Sequence, residues 1–161
     1  ISVGKISDIF SHQGITKTVK ASGNDALFTA TLEEFSTAAP GSLVFTNFVD
    51  FDTLYGHRRD VTGYALALEE FDSRVREITS ILTRGDLVVI TADHGCDPTW
   101  IGHDHTREHV PVIVFGPGIN PTQLGVRQSF SDIGQTLAEH LQVTTLANGV
   151  SFYSDLRETE V

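Results

Sequence analysis

Two short, nearly continuous apolar runs, Leu43-Val44-Phe45 through Phe48-Val49 and Leu87-Val88-Val89-Ile90, lie on either side of a long helical stripe. Unbroken apolar runs of about four to eight residues suit strands buried on both faces, as in a parallel sheet. The stripe between them, Tyr64, Leu68, Phe71, Val75, Ile78 and Leu82, advances by alternating steps of four and three. That spacing predicts one apolar helix face, with Asp60 as N-cap and Gly85 as stop. A second helix is predicted from Phe28, Leu32, Phe35 and Ala39, with Asn24 as N-cap and Pro40-Gly41 ending it. Val110 to Phe115 predicts a further strand, and Ser131 is placed to cap a last helix carrying Ile133, Leu137 and Leu141. Residues 1–23 carry only a helical turn at Ile6, Ile9 and Phe10 and an extended piece around Ile15–Val19. Strand, long helix, strand, loop, strand, helix is the order of an α/β fold, a mostly parallel sheet with helices on both faces.

The 161 residues suit one domain, and the whole chain, 1–161, is expected to be a single α/β domain. With 40% hydrophobic and 20% charged residues the composition is globular, and no apolar run reaches the ~18 residues that span a bilayer. A net charge of −10 leaves no electrostatic footprint for nucleic acid or anionic lipid, whereas divalent cations suit it. The one cysteine, Cys96, excludes an intrachain disulfide and favours a reducing, cytoplasmic setting. The chain begins Ile-Ser-Val-Gly and contains no methionine, so it is expected to be a piece of a longer protein.

In open sheets of this kind ligands gather beyond the carboxyl ends of the strands. The chemistry of the sequence obeys that rule. After the first apolar run come Asp50, Asp52 and His57; after the second come Asp93, His94, Asp97, His103, Asp104, His105 and His109. Five of the seven histidines therefore fall in two loops. Carboxylate oxygen and neutral imidazole nitrogen are the donors that hold Mn²⁺ or Zn²⁺. Taken alone, Asp93-His94-Gly95 also reads as a turn, with Gly95 letting the chain turn away. A second His-rich stretch ten residues later favours a ligand pair.

Three segments together, Asn47-Phe-Val-Asp-Phe-Asp-Thr-Leu-Tyr-Gly-His-Arg-Arg-Asp60, Thr91-Ala-Asp-His-Gly95 and Asp104-His-Thr-Arg-Glu108, closely resemble the phosphopentomutase family within the alkaline-phosphatase-like metalloenzyme superfamily. The resemblance runs from about Gly4 to Gly149. The middle motif is shared across the superfamily; the outer two point to the pentose enzymes. The resemblance implies part of an alkaline-phosphatase-like core, the C-terminal part, without the family's cap domain. It implies two divalent metal ions, most often Mn²⁺, with Asp52, His57 and His105 on one and Asp93 and His94 on the other. It also implies an isomerase reaction on a pentose phosphate substrate, interconverting ribose or deoxyribose 1-phosphate and 5-phosphate through a phosphothreonine enzyme and a bisphosphorylated sugar. The nucleophilic threonine and a further aspartate ligand are expected upstream of Ile1, so the 161 residues alone are expected to be inactive. Two other readings remain: another superfamily member, such as a cofactor-independent phosphoglycerate mutase, or a non-catalytic metal-binding module.

Other residues carry lesser expectations. Lys5, in a segment resembling one near the family's substrate phosphate, is a candidate substrate contact. Arg107 is expected to brace the loop that carries His105, because metal ligands need partners of their own. Arg58 and Arg59 are expected in ion pairs, and Asp50 and Asp104 in turns or in support of the ligands. Cys96 is expected to be an inert small side chain.

Overall fold

The computed structural model describes residues 1–157 and resolves them into two compact units, Ile1–Ile81 with His94–Val110, and Leu82–Asp93 with the chain from Pro111 onward. The fold is α/β, with a parallel sheet and helices.

In the first unit, β1 (Ser2–Val3), α1 (Ile6–Ile9), β2 (Thr18–Val19), α2 (Asn24–Thr37) and β3 (Phe45–Thr46) build a three-stranded parallel sheet in the order β2-β1-β3. Ser2 pairs with Thr18 and Phe45, and Val3 with Val19 and Thr46. Parallel neighbours need crossover connections, which α1 and α2 supply. A helical turn of wider gauge, the π turn Phe51–Gly56, then leads into α3 (Val61–Ile81). β3 is shorter than the apolar run predicted, and Phe45 and Leu43 remain 43% and 44% exposed. Among the described residues β3 is an edge strand, with β1 as its sheet neighbour.

The core of this unit is aromatic. Phe28 of α2, 1% exposed, meets Phe48 and Phe71 at centroid distances of 5.8 and 5.5 Å. Phe71 of α3 also meets Phe48 at 4.9 Å and Phe51 at 5.9 Å, and Tyr64 packs on Phe51 at 5.6 Å. Tilted and edge-on contacts of this kind add to the gain from burial. They tie the π turn to α3, and α3 to α2. The inward line of α3 follows the predicted stripe at Tyr64, Phe71, Val75 and Ile78 and departs from it at one place, where Ala67 is buried and Leu68 is 50% exposed. Arg74 completes that line. Its guanidinium donates to the Asp25 carbonyl at 2.9 Å and pairs with the Asp25 carboxylate and with Glu77, while lying 4.7 Å over the Phe28 ring. A long side chain can lay its stem on an apolar surface while satisfying its charge at the edge.

Helix starts show which expected caps hold. Asp60 caps α3: its carboxylate accepts from the Gly63 N–H at 2.9 Å. Asn24 does not cap α2. It is the first helical residue, and its own N–H donates to the Asp50 carboxylate at 2.9 Å. A carboxylate from 26 residues downstream thus satisfies the helix N-terminus, where negative charge is favoured.

In the second unit, β4 (Val88–Thr91) and β5 (Val112–Phe115) pair with each other antiparallel, from Val88 with Phe115 to Thr91 with Val112. The segment joining them forms no crossover helix, so an antiparallel return is the geometry open to it. Helix α4 (Ser131–His140) begins at Ser131, which does not cap it; the Ser131 N–H donates to Ser129 Oγ at 3.2 Å. Asp132, 4% exposed, is satisfied by Arg127 at 3.0 Å and by the Val150 N–H at 2.9 Å. Thr136 Oγ1 accepts from the Phe152 N–H at 3.0 Å, and Phe152 and Leu156 are buried. His140 meets the Tyr153 ring edge-on at 5.3 Å, and burial holds its imidazole below the ordinary 6.5, with Asp86 opposing.

Two measurements check this packing. Phe28→Ala is expected to cost about 3–5 kcal/mol in denaturant unfolding, whereas Ile101→Ala, at a site 91% exposed, stays within about 0.5 kcal/mol. The lowered His140 value means that the unfolded chain takes up its proton first. The His140 contribution to stability is therefore complete above pH 6.5 and is lost as the pH falls below it. His140→Phe is expected to flatten the stability profile in that window; an unchanged profile would contradict the burial argument.

Candidate metal centre

Asp52 and His57 are five residues apart, a spacing that no regular α-helix turns to one side. At about 3.6 residues per turn, two such side chains diverge by about 140°. Here the chain widens instead. The His57 N–H donates to the Asp52 carbonyl at 2.9 Å and the Asp60 N–H to the Tyr55 carbonyl at 3.0 Å, the i→i+5 bonds of a π turn. His57 Nε2 consequently lies 3.4 Å from Asp52 Oδ1. His105, from the loop after Cys96, brings its Nε2 to 3.1 Å from the same oxygen. His94 stacks on His105 with ring centroids 3.8 Å apart and planes at 26°, and His57 lies 4.6 Å from His105.

The ring protons can be placed. His57 Nδ1 bonds to the His103 carbonyl, and His94 Nδ1 to the Gly95 carbonyl at 3.1 Å. A carbonyl only accepts, so in each of these bonds Nδ1 carries the hydrogen. Asp52 Oδ1 is shielded from solvent and accepts no hydrogen bond. Imidazole nitrogens and a carboxylate oxygen therefore crowd one spot. A shielded carboxylate is costly unless it is paired with a cation. The donor set of one carboxylate and three imidazoles fits a divalent metal ion, and ligand atoms of Asp52, His94 and His105 all lie within 4.8 Å of one another.

The loop carrying His105 is held through backbone carbonyls. Arg59 donates from Nη1 to Gly56 at 3.0 Å and Asp97 at 2.9 Å, from Nε to Gly102 at 2.5 Å and from Nη2 to Asp104 at 2.6 Å. Its own backbone is left-handed, with φ 56°. A non-glycine residue holds that conformation only where the surroundings enforce it. His57 and His103 add a reciprocal latch: besides the bond above, His103 Nδ1 donates to the His57 carbonyl at 2.9 Å. Gly95 pairs with Thr106 across the loop, and Asp97 accepts from the Thr99 N–H and hydroxyl at 2.7 Å, which holds its carboxyl below the usual range.

Four of the five predicted ligands, Asp52, His57, His94 and His105, come together in the first unit. Asp93 belongs to the second unit, where it is exposed beyond β4. Lys5 is exposed at the start of α1, and Arg107 is exposed. Arg59 braces this loop, and through carbonyls rather than the ion pairs expected for it. A five-donor guanidinium next to a ligand was the available signal, but nothing in Arg58-Arg59 told the two apart. Gly95 serves by its size, not by a positive φ: a Cβ there would meet the Glu108 carboxylate.

Arg59→Ala is expected to weaken divalent-cation binding about 10–100-fold in calorimetric titration, the usual cost of removing a group that orients ligands. Arg59→Lys is not expected to restore it, because an ammonium lacks the planar fork that reaches several carbonyls. Wild-type affinity in both variants would contradict the bracing role.

The description "Metalloenzyme superfamily" matches residues 3–145. The chain is 61% identical over 153 residues to the phosphopentomutase of Legionella pneumophila subsp. pneumophila (strain Philadelphia 1), which covers 94% of this chain and 38% of that relative. It is 61% identical over 151 residues to the phosphopentomutase of Rhizobium leguminosarum bv. trifolii (strain WSM2304), covering 94% and 37%, and 56% identical over 153 residues to that of Erwinia tasmaniensis, covering 95% and 38%. The chain thus spans less than two fifths of the length of these relatives. By the extent of the family match and the motifs within it, the chain belongs to the metalloenzyme superfamily.

Proposed function

We propose that this chain is the metal-binding part of a phosphopentomutase, an isomerase that interconverts ribose or deoxyribose 1-phosphate and 5-phosphate. The observation that carries the reading is the crowding of His57 and His105 around a shielded, unbonded Asp52 oxygen. Identity of 56–61% to phosphopentomutases over nearly the whole chain supports it.

On this reading Asp52, His57 and His105 hold one divalent ion, and Asp93 and His94 serve the other, with manganese as the metal. When bound, the two ions neutralise phosphoryl oxygens and lower the pKa of the attacking hydroxyl. Phosphoryl transfer asks little covalent work of the protein beyond positioning and charge neutralisation. The residues of this chain do the positioning. The π turn fixes Asp52 beside His57, Arg59 and His103 hold the loop of His105, and carbonyl bonds at Nδ1 orient the rings of His57 and His94. Lys5 is proposed to meet a substrate phosphate and Arg107 to support the His105 loop. The phosphoryl-carrying threonine and one further aspartate belong to parts of the full-length protein beyond this chain.

No helix among the described residues is long and apolar enough to cross a membrane. A cytoplasmic location is part of the proposal, since a charged pentose phosphate does not cross a bilayer unaided.

The test is pentose phosphate exchange by the full-length protein with Mn²⁺. Activity is expected to vanish with a chelator and return with Mn²⁺. Asp52→Asn and His105→Ala are each expected to lose about a hundredfold or more, at or beyond the upper range for disturbed metal sites. Full exchange in both variants would overturn the ligand assignment, and the 161 residues alone are expected to give no turnover.

A further inference from the structure

One donor in the cluster is left unused by the manganese reading. Cys96 Sγ, a ring nitrogen of His57 and a carboxylate oxygen of Asp52 form a second set of three ligand atoms, all within 4.8 Å of one another. The first set is Asp52, His94 and His105, and Asp52 is common to both. The sulfur is built into this position. Gly56, the last residue of the π turn, leaves the space for it: a Cβ at residue 56 would stand 2.5 Å from Cys96 Sγ and 2.9 Å from the Phe51 carbonyl oxygen. On its other side Arg59 Nη1 reaches Sγ at 4.0 Å while holding the Gly56 and Asp97 carbonyls. The carboxylate shared by both sets, Asp52, has its Oδ1 shielded from solvent.

The two sets differ in softness. Oxygen with two imidazole nitrogens suits manganese as well as zinc, whereas a thiolate among three donors selects zinc, cadmium or cobalt over manganese. Tetrahedral zinc accepts mixed sulfur, nitrogen and oxygen ligands and leaves a fourth position open. We propose that Cys96 is a metal ligand, forming with Asp52 and His57 a thiolate-containing site that takes zinc or another thiophilic divalent cation. The inference rests on the reading of Asp52 and His57 as metal ligands. On binding, the S–H bond gives way to a sulfur–metal bond and the proton leaves to solvent. Because Asp52 and His57 serve both arrangements, a thiophilic ion held in this way withdraws two donors from the manganese site. Zinc is therefore an antagonist of manganese loading, and one sulfur sets that selectivity.

The experiment titrates the metal-free full chain with Co²⁺ alone and reads the near-ultraviolet sulfur-to-cobalt charge-transfer absorption, with calorimetry alongside to count bound ions. Wild type and His105→Ala are expected to show the band; Cys96→Ser and Cys96→Ala are expected to lack it. With zinc, X-ray absorption is expected to show a sulfur neighbour at about 2.3 Å in wild type and none in Cys96→Ser. Zinc affinity is expected to fall about tenfold or more in Cys96→Ser with manganese affinity unchanged. Stoichiometric Co²⁺ binding to wild type without the band would overturn the role of Cys96 and leave the Asp52–His57 site standing. Failure of wild type to bind Co²⁺, Zn²⁺ or Mn²⁺ would overturn both.

Discussion

The candidate site depends on a single irregularity of the backbone, the i→i+5 hydrogen bond from the His57 N–H to the Asp52 carbonyl. In an α-helix the two side chains would face different ways, and in an extended loop nothing would fix their separation. The widened turn makes them neighbours. It is anchored at its start by the Val49 carbonyl, which accepts from the Asp52 N–H at 3.1 Å and from the Thr53 N–H at 2.9 Å, and by Phe51 seated among Tyr64 and Phe71. At its end it runs into α3 through the cap made by Asp60. An energetically unfavourable helix form is thus held between two conventional ones, a pattern often found at functional sites.

A second constraint brings the other ligands to this turn. His94, Cys96 and His105 sit on a loop with little regular structure of its own, and its shape is imposed from outside by Arg59 and the His57–His103 latch. The partners are backbone carbonyls, so the loop is held by its course and not by the side chains it happens to carry. Burial and the nearby charge of Asp52 raise the Cys96 thiol above its ordinary 9.0, against an opposing effect of Arg59. They also raise the Tyr64 phenol, burial first, with Cys96 and Asp52 adding to it. Both shifts mark a shielded place beside a carboxylate.

Much of this was legible in advance. Asp60 announced itself as a cap because it stands directly before a long apolar period, and the period located α3 to within a residue or two. The short apolar runs located β3, β4 and β5 but not their partners. Expecting a mostly parallel sheet did not say which strands would depart from it; β4 and β5 pair antiparallel, because strand direction depends on how the connection returns and not on the strands themselves. Asn24 and Ser131 looked like caps by residue type. The groups that satisfy those helix starts are Asp50, from a distant segment, and Ser129, two residues earlier, neither of which periodicity reveals.

What the sequence determined by itself was the inventory: carboxylates and imidazoles in two loops after apolar runs, at intervals that mark a metalloenzyme. Those are properties of residue type and local spacing. The tertiary structure decided which donors share an oxygen, that Asp52 belongs both to a set with two imidazoles and to a set with an imidazole and a thiol, and that Arg59 holds the loop. These depend on contacts between residues some forty positions apart, and on a π turn whose stability comes from the aromatic rings around it. Separation in space, unlike separation in sequence, is set only when the whole unit packs.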